Sequence, residues 1–368
     1  MSKFELNINN MGSIKYFPVY ANDQVRIVYE ACSCCYGNNK KDLSYFDKKD
    51  FIKKRIKAGH TSILEHAYFA MCIINLNETN YSDFIKMSSS LRYLSVKTVF
   101  NEDNTFNILI GGSIRGYRYM IQNLEDHENK IYNTIIKALS EYSVDVFFED
   151  LSLSSYSEFY NFNTIQCNPY NPIKDIKIQP PVELNNIEVL NYLTPSEMEV
   201  MCIELFKYCF LYKDILEIIP ATILFKNMSR TATHQLVRHR NGITQESQRY
   251  VDYSDANFKV PNPDYLKDKK DDTYKIKVFN NTYVTTLDEL GKSLCDIYSQ
   301  LQSQGLKKED ARAFLPSNVC CNKIYMTFTY RTLNDFLKLR TDRSAQCEIR
   351  EYANDIQSLK LIPEEPKF

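Results

Sequence analysis

The sequence predicts a mixed α+β fold, built as two tandem units that are each a small, mostly antiparallel sheet covered by helices. Three observations favour this fold. The chain has 368 residues, 44% of them apolar and 25% charged, which is the composition of a globular protein with a sizeable core. Runs with the alternation of strands lie between runs with the period of helices. A stretch near residue 63 also recurs near residue 215.

The N-terminal half predicts strands and helices in succession. From about residue 15 to residue 76 the pattern is strand, helix, helix, strand. Asp42–Lys57 is a charged amphipathic helix that Gly59 ends, and Glu65–Asn75 alternates as a strand of a covered sheet does. A helix follows over about 78–90, and Asn107–Met120 predicts a strand and then a helix.

The middle of the chain predicts a connection. Residues from about 150 to 195 are rich in Ser, Tyr, Asn and Pro, and indicate little regular structure. Pro195–Lys213 then predicts a helix, and a strand is expected over about 220–227.

The last part of the chain predicts mainly helices. A short helix is expected over Arg230–Arg240, with Ser229 as its N-cap and Asn241-Gly242 at its end. Lys267–Asp272 is a charged loop, and Leu333–Leu359 is strongly helical.

An internal repeat organises these elements. Ile63–Asn75 aligns with Ile215–Asn227 without a gap, at an offset of 152 residues. The same offset carries Thr79 onto Thr231 and Lys86 onto Arg238, and Ile114-Arg-Gly-Tyr later echoes Tyr330-Arg-Thr-Leu. Chance similarity of two amphipathic segments is the alternative, but a duplicated unit explains the order of the matches better. We therefore divide the chain into a degenerate first repeat at 1–150, a connecting region with a helix at 151–213, and a second repeat at 214–368.

Composition excludes several classes of function. The chain has 45 basic and 46 acidic residues, a net charge of -1, whereas proteins that hold long nucleic acids are usually more basic. No apolar run approaches the ~20 residues of a membrane-spanning helix, and the start lacks the pattern of a secretory signal. Eleven Cys, an odd number without paired zinc-ligand spacing, indicate reduced thiols and no metal. We expect a cytoplasmic protein that binds neither membranes nor nucleic acids.

The two halves have kept different polar residues. The N-terminal half holds His60-Thr-Ser-Ile-Leu-Glu-His66, whose counterpart in the C-terminal half has no His. The C-terminal half holds Arg238-His-Arg240, whose counterpart is a lone Lys86. Such complementary loss is expected if one site draws on both halves.

The segment Thr233–Tyr250 carries the strongest functional signal. On a helix, Gln235, Arg238 and His239 would project to one side, and Ser247 and Arg249 follow after a short turn. A basic cap at the end of a helix is the structural alternative, but it does not explain the second group. Together the amide, hydroxyl and guanidinium donors are those that bind a phosphate.

These residues resemble the signature of flavin-dependent thymidylate synthases, an Arg-His-Arg followed after seven residues by Ser; here six residues intervene between Arg240 and Ser247. His60–His66 resembles the upstream motif of that family, Ala311–Pro316 and Tyr330-Arg331 its later motifs, and Phe336–Ala353 its C-terminal helix. The resemblance covers about 25–75 and 215–356.

The resemblance implies a set of site residues. The residues that it assigns to the nucleotide are Gln235, Arg238, Gln245, Glu246, Ser247, Gln248, Arg249, Arg312 and Arg340. The residues that it assigns to FAD are His60, Ser62, Glu65, Arg238, His239, Arg240, Gln245, Thr329, Tyr330, Arg331 and Asp335. Arg340 is the catalytic residue that it implies, because a fixed positive charge beside the uracil ring favours the N3-deprotonated, electron-rich form.

The resemblance also implies the reaction and its cosubstrates. In that family, NAD(P)H reduces FAD, methylenetetrahydrofolate supplies a one-carbon unit, and dUMP is methylated at C5 without a Cys nucleophile. Five features depart from the family pattern: the shorter loop after Arg240, Thr329 and Asp335 each in place of Asn, Ser344 in place of His, and one extra residue between Pro316 and Arg331. The alternatives are therefore another uracil nucleotide (UMP, or a hydroxymethyl product) and a degenerate, non-catalytic homologue. Because the family is a homotetramer, a double-length chain is expected to form a homodimer that acts as a pseudotetramer.

Overall fold

The computed structural model describes residues 3–8, 12–17, 21–37, 43–124, 129–142, 145–151, 166–170, 181–240, 242–254, 272–320 and 322–366. The strands are β1 (Lys3–Ile8), β2 (Gly12–Phe17), β3 (Tyr68–Leu76), β4 (Ser95–Phe100), β5 (Phe106–Ser113), β6 (Gln166–Tyr170), β7 (Val182–Leu184), β8 (Ile187–Asn191), β9 (Pro220–Met228), β10 (Gly242–Gln245), β11 (Tyr274–Val278), β12 (Asn281–Thr285) and β13 (Asn322–Thr329). The helices are α1 (Ala21–Cys34), α2 (Tyr45–Lys57), α3 (Glu78–Met87), α4 (Ile114–Asn123), α5 (Lys130–Tyr142), α6 (Pro195–Phe206), α7 (Tyr212–Leu216), α8 (Arg230–Leu236), α9 (Leu287–Ser303), α10 (Lys308–Ala311), α11 (Tyr330–Arg340) and α12 (Cys347–Ser358).

Two antiparallel sheets form the centre of the molecule. The first has the strand order β4-β5-β3-β2-β1-β6, and the second has the order β10-β13-β9-β8-β7. Every pair in these sheets is antiparallel, and β11 and β12 form a separate hairpin. The prediction of a mixed α+β fold with small antiparallel sheets and helices is confirmed.

The two sheets share a topology. The order β4-β5-β3-β2-β1 recurs as β10-β13-β9-β8-β7, and β3 and β9 have nine residues each. The register of β3 shifts between Ile73 and Leu76, and that of β9 shifts between the corresponding residues Phe225 and Met228. Asn75 and its counterpart across the 152-residue offset, Asn227, have positive φ angles of 57° and 52° inside these irregularities. Asn adopts this left-handed conformation more readily than most residues.

The helices that follow these strands begin in the same way in both sheets. The caps of α3 and α8 are Asn77 and Ser229, and each side chain accepts a hydrogen bond from the backbone N–H three residues on. Ser113 and Thr329 cap α4 and α11 likewise. Because such caps satisfy N–H groups that a helix start leaves free, they fix where each helix begins. The predicted cap of Ser229 is confirmed.

Both faces of the first sheet are buried. Phe69 and Met71 of β3 lie in the apolar core that contains α2, α4 and α5, whereas Ala70 and Cys72 share a second core with α6 and the second sheet. Reciprocally, α1 packs on the other face of the second sheet through a small cluster with Leu224. Each half therefore covers a face of the other, and this arrangement creates the junction where the candidate site lies.

Several predicted elements differ in the structure. The long connection predicted over 150–195 is wrong in part, because β7 and β8 form a hairpin of the second sheet; residues 152–165 and 171–180 lie outside the described ranges. The helix predicted over Pro195–Lys213 is two helices, α6 and α7, separated by a turn. The helical tail is also two helices, α11 and α12, separated by residues 341–346.

Smaller differences concern element ends. Glu65 belongs to a 3-10 helix, Thr61–His66, that precedes β3. The helix that begins at Arg230 ends at Leu236, and a 3-10 turn, Val237–His239, follows it; the next residue, Arg240, has a left-handed φ of 51°. Residue 42, residue 241 and the predicted loop 267–271 lie outside the described residues. Among the described helices, none has both the length and the apolar character needed to cross a membrane.

Candidate functional site

A cavity of about 480 Å³ lies at the junction of the two halves. It is lined by Glu65, Tyr68, Tyr93, Ser113, Arg115, Gly116, Tyr119, Arg240 and Gly242. The first seven come from the N-terminal half, Arg240 comes from the turn before β10, and Gly242 is the first residue of β10. Residues of both halves thus line one cavity, and the expectation that one functional site draws on both halves stays a prediction.

Glu65 is held at the cavity by the junction itself. Its neighbour His66 is buried and bonds Thr327 Oγ1 through Nδ1 (2.9 Å) and Thr244 Oγ1 through Nε2 (2.8 Å). A Cβ on Gly242 would lie 2.6 Å from the backbone oxygen of Glu65, so only glycine lets β10 start this close. The 3-10 turn is therefore fixed against the second sheet. The predicted cofactor residues His60 and Ser62 lie in the same segment and are exposed.

Positive charge enters the cavity from both halves. Arg115, in the first turn of α4, forms an ion pair with Glu65, and Arg240 reaches the cavity from the end of the Arg-His-Arg segment. Gly116 allows close packing of α4, because a Cβ there would lie 2.7 Å from the backbone oxygen of Tyr93. Two guanidinium groups beside the start of a capped ten-residue helix make a region that attracts anions.

An aromatic pair borders this positive region. The rings of Tyr93 and Tyr119 meet edge to face with centroids 4.6 Å apart, and the Arg92 guanidinium lies 4.7 Å from the Tyr93 ring centroid. Tyr93 is 55% exposed, so the pair offers apolar ring surface to the cavity. Aromatic side chains in such positions bind planar rings.

A second group of predicted residues surrounds Arg340. Its Nε donates to His239 Nε2 at 3.0 Å, and its Nη1 donates to Gln235 Oε1 at 3.5 Å. Burial and the positive charge of Arg340 lower the pKa of His239 below its ordinary value. His239 is therefore a neutral hydrogen-bond acceptor at pH 7, and it orients the Arg340 guanidinium without adding a charge of its own. Arg238 is exposed beside this group.

A third group contains Arg249 and Arg312. Arg249 forms an ion pair with Glu309 (3.1 Å), and Arg312 Nε donates to the backbone oxygen of Glu309 at 3.0 Å. The Ser247 hydroxyl accepts from the Arg249 backbone N–H at 3.3 Å. The structure thus brings these three predicted nucleotide residues close together along one surface.

The remaining nucleotide residues are largely buried. Tyr253 Oη donates to Glu246 at 2.9 Å, and burial raises the pKa of Glu246 against the effect of this bond. Gln248 is buried, and the buried Nε2 of Gln245 has no hydrogen-bond partner among the described residues. The Gln245 amide thus has a donor without a partner among the described residues, whereas Glu246 is bonded inside the protein.

Four predicted cofactor residues lie elsewhere in the chain, around Glu217. Arg331 forms an ion pair with Glu217 (3.2 Å) and lies 4.0 Å from Asp335. Thr329 caps α11, and the buried Tyr330 hydroxyl donates to the backbone oxygen of Leu193. None of these four lines the cavity at Glu65.

The Glu217 region occupies the corresponding place in the other half, and its glutamate is bonded by several side chains. Glu217 stands 152 residues after Glu65, and Arg331 occupies the place in α11 that Arg115 occupies in α4. Here, however, Ser95 Oγ donates to Glu217 at 2.8 Å and Lys97 Nζ lies 3.1 Å from it. Burial raises the pKa of Glu217, but these hydrogen bonds outweigh burial and hold the pKa below its ordinary value.

The sequence prediction missed several cavity residues. Ser113, Arg115 and Tyr119 are the N-terminal counterparts of Thr329, Arg331 and Asp335, and they line the cavity. The signal that finds them is the internal repeat, because the match of Ile114-Arg-Gly-Tyr to Tyr330-Arg-Thr-Leu places Arg115 on Arg331. Tyr93 has a weaker signal of the same kind, since Leu91-Arg-Tyr-Leu matches Gln248-Arg-Tyr-Val.

Comparison with known proteins places the C-terminal half in context. Residues 186–363 match the family model of thymidylate synthase complementing protein. The chain is 35% identical over 152 residues to a flavin-dependent thymidylate synthase of Clostridium tetani. The aligned region covers 39% of this chain and 59% of that protein. It is 33% identical over 171 residues to a flavin-dependent thymidylate synthase of Pyrococcus horikoshii. The aligned region covers 45% of this chain and 64% of that protein. The chain thus spans about three fifths of the length of these relatives. The predicted resemblance to this family is confirmed.

Proposed function

We propose that this chain, whose residues 186–363 match the thymidylate synthase complementing protein family, is a flavin-dependent thymidylate synthase that methylates dUMP at C5. Methylenetetrahydrofolate would be the carbon donor and NAD(P)H the reductant. The observation that carries the proposal is the cavity in which Glu65 and Arg115 of one half meet Arg240 of the Arg-His-Arg segment of the other. The relatives named for this activity support it.

The cavity residues fit an FAD. Arg115 and Arg240 would hold the diphosphate, because guanidinium groups bind phosphate oxygens with charge-assisted hydrogen bonds. Tyr93 and Tyr119 would lie against a planar ring of the cofactor, and the unpartnered Nε2 of Gln245 would donate to it. The flavin, when bound, would supply hydride and one-carbon transfer. His60, Ser62 and Glu65 keep the cofactor roles that the resemblance implies.

The nucleotide would lie against the Arg340 group and the Arg249–Arg312 surface. The role proposed for Arg340 is to place a fixed charge at the uracil ring, where it favours loss of the N3 proton. Its orientation by His239 and Gln235 supports this role, because a neutral His does not reduce the field of the guanidinium at the ring. Arg238, Ser247, Gln248 and Arg249 remain proposed contacts of the nucleotide.

We further propose that the chain arose by tandem duplication and binds one flavin. The shared strand order, the paired irregularities at Asn75 and Asn227, and the paired salt bridges of Glu65 and Glu217 support duplication. Ser95 and Lys97 bond Glu217 at the second location, whereas a cavity lies at Glu65, so we assign the flavin to the first location. A homodimer would then act as a pseudotetramer with two flavins, in the cytoplasm.

Flavin content and growth test the proposal. Purified protein should be yellow and should release about one FAD per chain on denaturation, and the gene should restore growth of a thymidine-requiring strain without thymidine. Colourless protein that takes up no FAD would refute the proposal and favour the degenerate, non-catalytic homologue. FAD uptake with turnover of UMP but not dUMP would favour the alternative nucleotide.

A matched pair of variants tests which copy holds the cofactor. Arg115→Gln should weaken FAD binding by about tenfold or more, the effect of losing one charge-assisted hydrogen bond. Arg331→Gln removes the corresponding guanidinium, which pairs with Glu217, and should change the affinity for FAD little. Arg26→Gln, on α1 away from both locations, controls for the lost charge. If Arg331→Gln lowers the affinity for FAD more than Arg115→Gln does, FAD binds at Arg331 and its neighbours, as the family resemblance implies.

A further inference from the structure

Arg230 is an unassigned residue that lies beside the proposed phosphate region. Its backbone N–H donates to the Val319 oxygen at 3.3 Å, and the next residue, Thr231, donates to the Ser317 oxygen at 2.9 Å. These bonds fix the start of α8 against the segment that begins at Arg312. Arg230 therefore has a defined position next to a residue that the nucleotide site already uses.

The Arg230 guanidinium carries an unmet hydrogen bond. Its Nη1 atom is buried and has no hydrogen-bond partner among the described residues. A guanidinium cannot lose its charge in a protein, so a buried, unpartnered N–H of this group is costly. Such a group is stabilised when an anion reaches it.

The neighbouring carboxylates are engaged elsewhere. Glu348 accepts from the backbone N–H and the hydroxyl of Ser229, the residue before Arg230. Glu246 accepts from Tyr253, and Glu309 pairs with Arg249. No ion pair joins a described carboxylate to Arg230, so its charge is left without an anionic partner in this part of the chain.

Arg312 adds a second positive charge. Burial lowers the pKa of Arg230, Tyr253 opposes this effect, and the nearby charge of Arg312 lowers the pKa as well. Two guanidinium groups that act on each other in this way favour a ligand with two negative charges over a neutral or singly charged one. A phosphate monoester at neutral pH is such a ligand.

We propose that Arg230 is a further phosphate-binding residue, which holds the 5′-phosphate of the nucleotide together with Arg312. This inference rests on the proposed function, because it takes the phosphate to be that of dUMP. The residues that the family resemblance assigns to the nucleotide do not include Arg230. Arg249, which pairs with Glu309 here, would contact the phosphate from the other side.

Binding of two ligands that differ only in the phosphate tests the inference. In the flavin-loaded protein, Arg230→Gln should raise the Kd of dUMP by about tenfold to a hundredfold, the range for one charge-assisted hydrogen bond. The Kd of deoxyuridine, which has no phosphate, should not change. Arg26→Gln, which also removes a half-buried helical Arg, should change neither Kd. Isothermal titration calorimetry gives both constants.

The other outcomes are also decisive. Equal weakening of dUMP and deoxyuridine, or no change in either, would overturn the inference and leave the proposed function standing. If Arg230→Gln does not fold, Arg230→Lys keeps the charge and should weaken dUMP alone by several-fold; equal weakening of both ligands would again overturn the inference. If the wild-type protein retains no FAD but binds inorganic phosphate, and Arg230→Gln weakens that binding, the anion site stands and the proposed function fails.

Discussion

Acid should destabilise this protein through His66, the residue that joins the two halves. A neutral imidazole has one donor and one acceptor, which suits two hydroxyl partners, and His66 bonds Thr327 and Thr244 in this way. Complete burial lowers the pKa of His66 to about 3. Protonation would leave an uncompensated buried charge between the sheets.

The size of the effect follows from linkage. The pKa of an unfolded His is about 6.5, so between pH 6.5 and pH 3 the unfolded chain binds a proton that the folded chain does not. The free energy of unfolding then falls with falling pH by about 1.4 kcal/mol per unit. Lowering the pH from 7.5 to 5.5 should therefore cost about 1.4 kcal/mol through this residue alone, because the first unit lies above the unfolded pKa.

Urea denaturation of the flavin-free protein at pH 7.5, 6.5 and 5.5 measures this cost. His66→Gln keeps an amide donor and acceptor but cannot titrate, so its stability deficit relative to the wild type should shrink by about 1.4 kcal/mol at pH 5.5. Ile218 stands at the corresponding position of the other half and is fully buried. Ile218→Val should cost about 1 kcal/mol at every pH. A His66→Gln deficit that is the same at pH 7.5 and pH 5.5 would refute the reasoning.

Four further outcomes are expected. Gly242→Ala places a methyl 2.6 Å from the Glu65 oxygen, so it should lower Tm, cost about 1–3 kcal/mol and reduce retained FAD. Arg340→Ala should lower kcat far more than it weakens dUMP binding, and equal losses measured by turnover and calorimetry would remove its proposed role. Cys209→Gly should raise the free energy of unfolding by about 1 kcal/mol in urea, since Cys209 has a φ of 62°. Burial raises the pKa of Cys32 to about 12, so iodoacetamide at pH 8 should label the exposed Cys209 before Cys32, as peptide mass spectrometry would show.

Local patterns were sufficient to predict most of the elements. The strand at Pro220–Met228 and the cap at Ser229 follow from apolar runs and capping residues, which act within a few positions of the chain. The hairpin at 182–191 was missed, although its signal is also local. Asn185-Asn186 separates two short alternating runs, and Asn185 has the positive φ of 53° that tight hairpin turns require. The surrounding Asn- and Pro-rich composition obscured that turn.

The arrangement of the site could be predicted only in part, because it depends on how the halves pack. The Arg-His-Arg segment and Glu65 were identified from their motifs, and the structure brings Arg240 and Glu65 to one cavity. The choice between Arg115 and Arg331 could not be made from a motif. Both follow a strand and pair with a glutamate, and the two locations differ in that Ser95 and Lys97 of β4 also bond Glu217.

The differences between the two locations are matched across the junction. His66 bonds Thr327. Its counterpart Ile218 contacts Gly111, the counterpart of Thr327, and a Cβ on Gly111 would lie 2.6 Å from Ile218 Cγ2.

At this pair of positions, the polar His66 thus meets a polar partner and the bulky Ile218 meets a glycine. A protein that assembles identical chains must keep every site residue in its single sequence, because each change appears in all copies. A chain that carries two copies can change one junction and its partner together while the other junction keeps its function. On the proposed duplication, the two copies would have diverged in this way, since Ser95 and Lys97 bond Glu217 in one copy and Glu65 pairs with Arg115 at the cavity in the other.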